Sequence, residues 1–151
     1  MNHEKIATYW NRFKAEHPTA PDVYEAWGFG SNSHHADELG KLVIEGKKTA
    51  TTSNYRLYEL YSEALPYPGL HNIILNGDEE PIAIVKTTTV EIKTFNEVEA
   101  EHAYLEGEGD RSLAYWREVH EDFFKREYEA INEEFHYKVP VVCERFELIY
   151  K

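Results

Sequence analysis

The sequence predicts a single α+β domain, and three observations support that fold class. Apolar side chains recur at helical spacing in four segments, residues 3–16, 35–45, 55–65 and 112–132. The remaining segments include runs rich in Thr, Val and Ile, which are typical of strands, and two of these runs are joined by the turn sequence Asn76-Gly77-Asp78. With 151 residues, of which 42% are hydrophobic and 14% aromatic, the chain is long enough to bury a real core.

The net charge of −12 limits the possible partners. A surface that repels phosphate excludes non-specific nucleic-acid binding, because that mode depends on clustered Lys and Arg. Acidic residues crowd positions 97–134. The basic residues near a candidate pocket are Lys41, Lys47, Lys48 and Arg56. Any contact with RNA or with a nucleotide must therefore be local.

The sequence also predicts a cytoplasmic protein. No apolar run approaches the roughly 20 residues of a membrane span, and the start MNHEKIATYW is too polar for a secretory signal. The single cysteine, Cys143, lies in an apolar run, which leaves no intrachain disulfide and no cysteine metal cluster. We expect a buried thiol in a reducing compartment, with a catalytic nucleophile as the alternative.

The first helix is predicted over residues 3–16, where Ile6, Tyr9, Trp10 and Phe13 form an apolar stripe for packing. His17-Pro18 should end this helix, because a residue before proline is pushed out of the helical region. A short second helix is expected from Ala20 through Trp27, with Pro21 in its first turn.

Residues 27–35 are predicted to be a loop that carries two glycines, two aromatic residues and two adjacent histidines. The glycines allow a close approach to a ligand, but there is no preceding strand or third glycine for a dinucleotide fingerprint. An aromatic loop over a pocket is expected, with Trp27 and Phe29 as its rings. His34 and His35 are a weak metal site, because sequence neighbours point in different directions. Ser33 is a candidate cap for the helix that follows.

The segment Glu45-Gly46-Lys47-Lys48-Thr49-Ala50-Thr51-Thr52-Ser53 places two lysines where a helix ends and a strand of hydroxyl residues begins. Lys48, Thr49 and Thr51 could face one pocket, because Thr49 and Thr51 share a strand face and the lysine stem is long. The alternative is purely structural, since a lysine complements the helix dipole and threonine favours strands. Spacing alone leaves both interpretations open.

After this corner, residues 55–65 are predicted to be a helix whose buried stripe is Leu57, Leu60, Tyr61 and Leu65. Strands are expected at residues 71–75 and 81–95, and the second is long enough to bend or bulge. Asn96 should then cap a helix over residues 97–106.

The segment EGEGDRSLAYW, residues 106–116, interleaves carboxylates with glycines and predicts a mobile acidic turn of Glu106, Glu108 and Asp110. Ser112 is expected to cap a helix through about residue 132. Its apolar face includes Trp116, and His120 either lines a pocket or is a satisfied core histidine. Residues 137–150 should form a closing strand.

Three of these segments together resemble the ASCH domain family, namely ADELGKLVIEGKKTATTS, IILNGDEEPIAIVKTTTVEI and EAEHAYLEGEGDRSLAYWREVHEDFF. The resemblance covers about residues 27–150 and depends on the spacing of the G-K-K-T-A-T and E-G-E-G-D-x-S-L-x-Y-W elements. It implies a small PUA-like β-barrel flanked by helices. Residues 1–26 would then be an added N-terminal helical extension packed on the domain, and residues 27–151 the domain itself.

The resemblance also implies candidate catalytic residues. The family is associated with RNA binding and nucleotide-level chemistry. One small bacterial branch is similar to amidohydrolases that deacetylate N4-acetylcytidine, with a lysine, a following threonine and a glutamate carrying the reaction. These positions correspond to Lys48, Thr51 and Glu106. The chain departs from that branch in its length, in its N-terminal helix, and at Thr52-Ser53, where the branch has a basic residue.

The first hypothesis is therefore an amidohydrolase that acts on a modified nucleoside or a similar small amide, without a cofactor. A desolvated lysine can take a proton from Thr51 and make its hydroxyl a useful nucleophile, while Glu106 positions water or protonates the leaving amine. A second hypothesis is a non-catalytic module for single-stranded RNA or a flipped-out base, with aromatic stacking and Lys48 or Arg56 on phosphate. A third is a ribonuclease that uses His120 or the acidic triplet, with a divalent metal on the carboxylates.

The residues expected to bind substrate or RNA are Trp27, Phe29, Lys47, Thr49, Ser53, Arg56, Glu108, Asp110, Trp116 and His120. The net acidity favours a small ligand over a long strand. Oligomeric state and natural substrate remain open at this level.

Overall fold

The computed structural model describes residues 2–151, and these residues build a mixed five-stranded sheet that curls as half a barrel with helices around it. The strands are β1 (Glu25–Gly28), β2 (Ala50–Asn54), β3 (His71–Leu75), β4 (Pro81–Thr94) and β5 (Pro140–Tyr150). Their order across the sheet is β1-β3-β4-β5-β2. Only β1 and β3 pair in parallel among the described strands. The predicted α+β class is confirmed.

The α-helices of the described chain are α1 (His3–Glu16), α2 (Ser33–Ile44), α3 (Tyr55–Leu60), α4 (Ala100–Glu106) and α5 (Leu113–Ala130). The predicted bounds of α1 are confirmed, and His17 is its C-terminal cap. Ser112 caps α5 as expected, because its hydroxyl accepts a hydrogen bond from the backbone N–H of Tyr115. No helix in residues 2–151 combines the length and the apolar character that a membrane crossing requires.

The apolar stripe of α1 packs against the sheet. Ile6, Trp10 and Phe13 are each at most 4% exposed and form one core cluster with residues of β3 and β4, including Ile73 and Ile84. Two further clusters lie between the sheet and the other helices, one under α2 and one under α5. The N-terminal helix thus covers apolar sheet residues that would otherwise face water.

The long strand β4 bends along its length, as its sequence predicts. It pairs with β3 through its first half and with β5 up to Thr94, and its pairing with β5 shifts register at Ile84/Val85 and at Thr87/Thr89. Such bulges increase local twist and let one strand serve a curved sheet.

The prediction of a helix over residues 20–27 is wrong. Residues Glu25–Gly28 form β1, which pairs in parallel with β3 from Glu25↔Asn72 to Gly28↔Leu75. The segment is too short for helical periodicity to decide, and pairing with a buried neighbouring strand outweighs local preference. Trp27 and Gly28 therefore belong to the sheet and not to a loop.

Two predicted caps also need correction. Ser33 is the first residue of α2, and Asn32 caps it by accepting a hydrogen bond from His35 N at 2.8 Å. Asn96 lies inside a short 3₁₀ turn, Phe95–Glu97, which Thr94 caps, and α4 begins only at Ala100. Neighbouring polar residues compete for a capping position, and the direction of chain entry decides between them.

The stripe predicted for residues 55–65 is not a core stripe. α3 ends at Leu60 and contains no buried residue. Leu60, Tyr61 and Leu65 are 41%, 61% and 36% exposed, and Leu57 is half-buried. Of these side chains, Leu65 lines the cleft described below.

Candidate functional site

Strand β2 separates two groups of polar side chains, because successive residues of a strand point to opposite faces. Thr52 and its alternate neighbours Ala50 and Asn54 are buried, whereas Thr51 and Ser53 are half-buried on the other face. Thr52 contacts a buried group of charged residues, and Thr51 and Ser53 line an open cleft.

The buried group, here called the ionic cluster, consists of Lys48, Thr52, His102, Glu106, Glu108, Trp116 and His120. Lys48 lies between α2 and β2, and its Nζ donates to Glu106 Oε1 at 3.2 Å and to Glu108 Oε2 at 3.1 Å. The side chains of Lys48 and Glu106 are 1% and 2% exposed. The structure thus brings together two of the three residues that the family resemblance implies for catalysis.

Gly107 allows the close approach that brings these groups together. It ends α4 with a φ of 77°, and a Cβ there would lie 2.5 Å from the Lys47 carbonyl oxygen. The chain turns at this glycine so that Glu106 and Glu108 both reach Lys48.

Glu106 is surrounded by donors. Its Oε2 accepts from the Thr52 hydroxyl at 2.7 Å and from the Trp116 indole N–H. His102 Nε2 lies 2.8 Å from the Thr52 oxygen, and since the Thr52 proton goes to Glu106, this imidazole nitrogen is the donor. Burial acts to raise the pKa of Glu106, but the charges of Lys48 and His120 and the histidine hydrogen bonds outweigh it and hold the pKa well below its usual range. Glu106 is an ionised carboxylate.

His120 stacks on Trp116 with ring centroids 4.2 Å apart, and its Nδ1 lies 2.8 Å from the Trp116 carbonyl oxygen. Its Nε2 lies 3.6 Å from Glu106 Oε1. Burial lowers the pKa of His120, but the negative charge of Glu106 outweighs burial, so the pKa is raised. The raised pKa favours the protonated, positively charged form of His120 beside Glu106.

Glu106, Glu108 and His120 offer ligand atoms within 4.8 Å of one another, which is the spacing of a metal site. The Lys48 ammonium already donates to both carboxylates, so the cluster contains its own cation and does not fit a resident divalent metal. Asp110, the third member of the expected acidic triplet, is exposed and accepts instead from the Ser112 backbone N–H at 2.9 Å. The triplet does not converge.

The chemistry expected of Lys48 with Thr51 is not supported by this arrangement. Thr51 points to the opposite face of β2, and Thr52 occupies the position beside Glu106. Lys48, Thr52 and Glu106 are hydrogen-bonded within the cluster, and none of them lines the open cleft on the other face of β2. The cluster is built as a saturated hydrogen-bond network.

The cleft on the other face, here called the aromatic cleft, has a volume of about 500 Å³. It is bounded by β1, β2, α3 and the segment after α3. Its lining combines aromatic rings, hydroxyls, an amide and carboxylates, namely Trp27, Tyr58, Tyr67, Thr51, Ser53, Asn72, Glu25, Glu63 and Glu144. Trp27, Thr51 and Ser53 are the sequence-predicted residues found here.

A chain of hydrogen bonds, the first partly buried and the next two buried, fixes the floor of this cleft. Trp27 Nε1 donates to Asn72 Oδ1 at 3.0 Å, Asn72 Nδ2 donates to Thr87 Oγ1 at 3.1 Å, and the Thr87 hydroxyl donates to Glu144 Oε2 at 3.2 Å. Asn72, Thr87 and Glu144 are 2%, 0% and 5% exposed. The indole ring and the carboxylate are therefore held in place before any ligand arrives.

Glu144 lies opposite Thr51 in the pairing of β2 with β5, so both side chains are on the same face of the sheet. Burial raises the pKa of Glu144, and the Thr87 hydrogen bond offsets only part of this effect. Ser53 Oγ lies 3.0 Å from the Tyr58 hydroxyl, which orients that ring at the wall of the cleft.

The other predicted aromatic residues are not available for stacking. Phe29 is 5% exposed, packs in a core cluster with Phe146, and has Lys48 Nζ 5.1 Å from its ring centroid. Trp116 is 3% exposed. Their roles as base-stacking residues are corrected to core packing, because helical and loop spacing do not distinguish a cleft wall from a core.

The predicted phosphate contacts lie elsewhere as well. Arg56 forms a two-nitrogen ion pair with Glu133 and does not line the cleft. Lys47 is exposed, and its carbonyl oxygen accepts from Arg111. Thr49 joins β5 and α4 through its backbone, with its N–H donating to Leu105 O at 2.8 Å.

Sequence reasoning missed Thr52, His102, Asn72, Thr87 and Glu144. One signal was present for Glu144, because it is a charged residue inside the apolar run VVCERF. A charge at a position that should be buried often marks a site. Nothing in the local sequence indicates that Asn72 and Thr87 lie beneath the same cleft.

Comparison with known proteins agrees with this fold. The family model described as the ASCH domain matches residues 25–150. A crystal structure from Enterococcus faecalis V583, of the family DUF984, is 36% identical and superimposes with a TM-score of 0.91 over 97% of this chain and 89% of the other. The crystal structure of an ASCH domain from Lactobacillus crispatus JV V101 is 29% identical, with a TM-score of 0.93 over 99% of this chain and 96% of the other. No curated protein matches the chain.

Proposed function

Because the chain belongs to the ASCH domain family, a PUA-like family, we propose that its aromatic cleft binds a single nucleoside or nucleobase. The observation that carries this proposal is the composition of the cleft, which joins aromatic walls to a fixed polar floor. Its volume of about 500 Å³ lies within the range of small-molecule sites.

The aromatic residues supply a stacking surface. The Trp27 indole is fixed by its hydrogen bond to Asn72, and Tyr58 is fixed by Ser53, so two of the rings are oriented in advance. Stacking of one base on an aromatic side chain contributes about 1–3 kcal/mol. Pre-oriented rings lose little rotamer freedom on binding, which favours a flat ligand.

The polar residues supply hydrogen bonds for the edge of a base. Thr51 and Ser53 present hydroxyls from β2, and Glu144 presents a carboxyl group from the neighbouring strand β5. A few fixed polar groups in an otherwise apolar and aromatic cleft are typical of sites that orient a small ligand.

The charges favour a nucleoside over a phosphate-bearing strand. Glu25, Glu63 and Glu144 line the cleft, and no Lys or Arg is among its described lining residues. RNA binding depends on cations that meet the backbone phosphates, and the net charge of −12 opposes them further. We expect each added phosphate to weaken binding.

The test is calorimetric titration of the full chain with the common and modified nucleosides and with their 5′-monophosphates. Binding of a nucleoside with at least about tenfold lower affinity for its monophosphate is expected. Tyr67→Ala, at the rim of the cleft, should weaken binding by about 1–3 kcal/mol. Tyr104→Ala is the matched control, because Tyr67 and Tyr104 are 51% and 54% exposed and only Tyr67 lines the cleft. Absence of binding by every nucleoside would reject the proposal.

A second candidate function is hydrolysis of an acylated nucleoside in the same cleft, and it is favoured by the position of Thr51 opposite Glu144. In this reaction Thr51 Oγ attacks the acyl carbon while its proton passes to the Glu144 carboxylate, which then protonates the departing amine. Water hydrolyses the acyl ester and restores the threonine.

Release of acetate from N4-acetylcytidine measures this activity. Thr51→Val should abolish it, whereas Thr52→Val, on the other face of β2, should retain it in the folded protein. If Thr52→Val abolishes the release of acetate and Thr51→Val retains it, the reaction belongs to the ionic cluster. If the unaltered protein releases no acetate, hydrolysis is rejected and nucleoside binding remains the proposed function.

A further inference from the structure

We infer that the ligand of the aromatic cleft carries a positive charge spread over a flat ring, as an N-methylated cationic nucleobase does. This inference rests on the proposed function, because it specifies which class of nucleoside the cleft selects. It follows from a comparison of two buried carboxylates in the same chain.

Glu106 and Glu144 are similarly buried, at 2% and 5% exposed, but their surroundings differ. Glu106 has Lys48 within 3.2 Å and His120 beside it, so its charge is balanced inside the protein. Glu144 receives a hydrogen bond from the Thr87 hydroxyl, and no Lys, Arg or His is among the described residues that line its cleft. A buried carboxylate without a cation is unfavourable, so a cationic ligand would supply what the fold leaves out.

The other charges that line the cleft also favour a cationic ligand. Glu25 on β1 and Glu63 after α3 line the cleft as further carboxylates and are both exposed. Tyr58 on α3 is the titratable ring beside them, and its pKa is raised by burial first and by Glu144, Glu63 and Glu25 in addition. A cleft lined by one sign of charge concentrates ligands of the opposite sign.

The aromatic residues distinguish a flat cation from an ordinary amine. Trp27, Tyr58 and Tyr67 line the same cleft as the carboxylates. Aromatic faces attract a cation within about 6 Å through their quadrupole, and they also stack on flat rings. A methylated, positively charged base satisfies both interactions at once, whereas a neutral base satisfies only the second.

The experiment compares ligands of nearly equal shape and different charge. Calorimetric titrations of the full chain use 1-methyladenosine against adenosine and 3-methylcytidine against cytidine, at neutral pH. We expect at least one methylated nucleoside to bind about tenfold or more tightly than its neutral parent. Equal affinities within both pairs would overturn the inference and leave nucleoside binding intact.

Glu144→Gln keeps the shape of the side chain and removes its charge, so it should reduce the preference for the cation severalfold or more, because the affinity for the cation falls by more than the affinity for the neutral parent. Glu147→Gln is the matched control, because Glu147 is an exposed glutamate on the same strand and does not line the cleft. An unchanged preference in Glu144→Gln would contradict the assignment of this residue.

The pH dependence adds an independent readout. Since the cation pairs with the ionised carboxylate, its affinity should rise as the pH increases through the pKa of Glu144, and the neutral parent should lack this rise. Glu25 and Glu63 line the same cleft and are present in both proteins, so the difference between the two pH profiles isolates Glu144, and Glu144→Gln should weaken the rise. A fall in affinity for the cation over the same range would overturn the inference.

A flat cation without ribose, 1-methylnicotinamide, separates the inference from the proposed function. If it binds while no nucleoside does, the charge preference stands and nucleoside binding is rejected. If no probe binds, both are rejected.

Discussion

Lys48 Nζ lies 3.2 Å from Glu106 Oε1, and the two side chains are 1% and 2% exposed. This ion pair joins the corner after α2 to the end of α4, across 58 positions of sequence. The Lys48 ammonium contacts Glu108 as well, so a single amine organises two acidic residues from the following turn. The largest effect of such a buried ion pair on the free energy of unfolding is expected when one partner is removed, because the other charge is then buried alone.

Replacement of Lys48 by Met should therefore destabilise the protein by about 3–5 kcal/mol, because it leaves Glu106 buried without its main cation. Urea unfolding followed by circular dichroism measures the loss. Lys47→Met is the control and should change the free energy of unfolding by less than about 0.5 kcal/mol, since Lys47 is exposed. Adding Glu106→Gln to Lys48→Met should recover part of the loss, and strict additivity of the two effects would contradict the pairing.

Substitution of the adjacent threonines Thr51 and Thr52 should affect stability differently, because the two side chains lie on opposite faces of β2. Thr52→Val should cost about 1–3 kcal/mol, because Glu106 loses a hydroxyl donor and His102 loses its acceptor in a buried site. Thr51→Val, on the cleft face, should change stability by less than about 0.5 kcal/mol. Equal losses in the two variants, measured by urea unfolding, would show that the faces are wrongly assigned.

The stability of the protein should depend on pH through His120. Its pKa is raised in the folded state, chiefly because the charge of Glu106 outweighs burial. The stabilising effect is therefore fully present below the unfolded histidine pKa, about 6.5, and is lost as the pH rises through the folded value. The destabilisation caused by His120→Gln should be larger at low pH and shrink on the alkaline side. His3→Gln, at an exposed histidine, is the control for the substitution itself.

The N-terminal helix should be required for a stable fold. Trp10 is 4% exposed and packs in the cluster that includes Ile73 and Ile84, so Trp10→Ala should cost about 3–5 kcal/mol. Asn11→Ala, on the exposed side of α1, should have little effect. A melting temperature that is unchanged in Trp10→Ala would mean that α1 is dispensable.

Cys143 should be an unreactive thiol. It is 6% exposed, and burial, with the Glu106 charge as a second cause, raises its pKa to about 12. Labelling with a thiol reagent at neutral pH should be at least about a hundredfold slower in the folded protein than in urea. Rapid labelling of the folded protein would revive a nucleophilic role for this residue.

The sequence predicts the long helices well, because each is specified by its own local pattern. The spacing of Ile6, Trp10 and Phe13 predicts α1, His17-Pro18 marks its end, and Ser112 marks the start of α5. The short elements were not predictable in the same way. β1 has four residues and exists because β3 pairs with it, which is information held in another part of the chain.

The candidate site, too, has features that the local sequence predicts and features that depend on contacts between distant segments. The sequence by itself determined that Lys48 stands beside a hydroxyl-rich strand, that Glu106 and Glu108 flank a glycine, and that the chain carries a net charge of −12. The tertiary structure alone decided that Thr52 faces Glu106 while Thr51 faces Glu144, and that one chain of hydrogen bonds joins Trp27, Asn72 and Thr87. Local spacing fixes the alternation of side chains along a strand, but pairing with distant strands decides which set faces which cavity. A shift of one residue in that pairing would exchange the two faces.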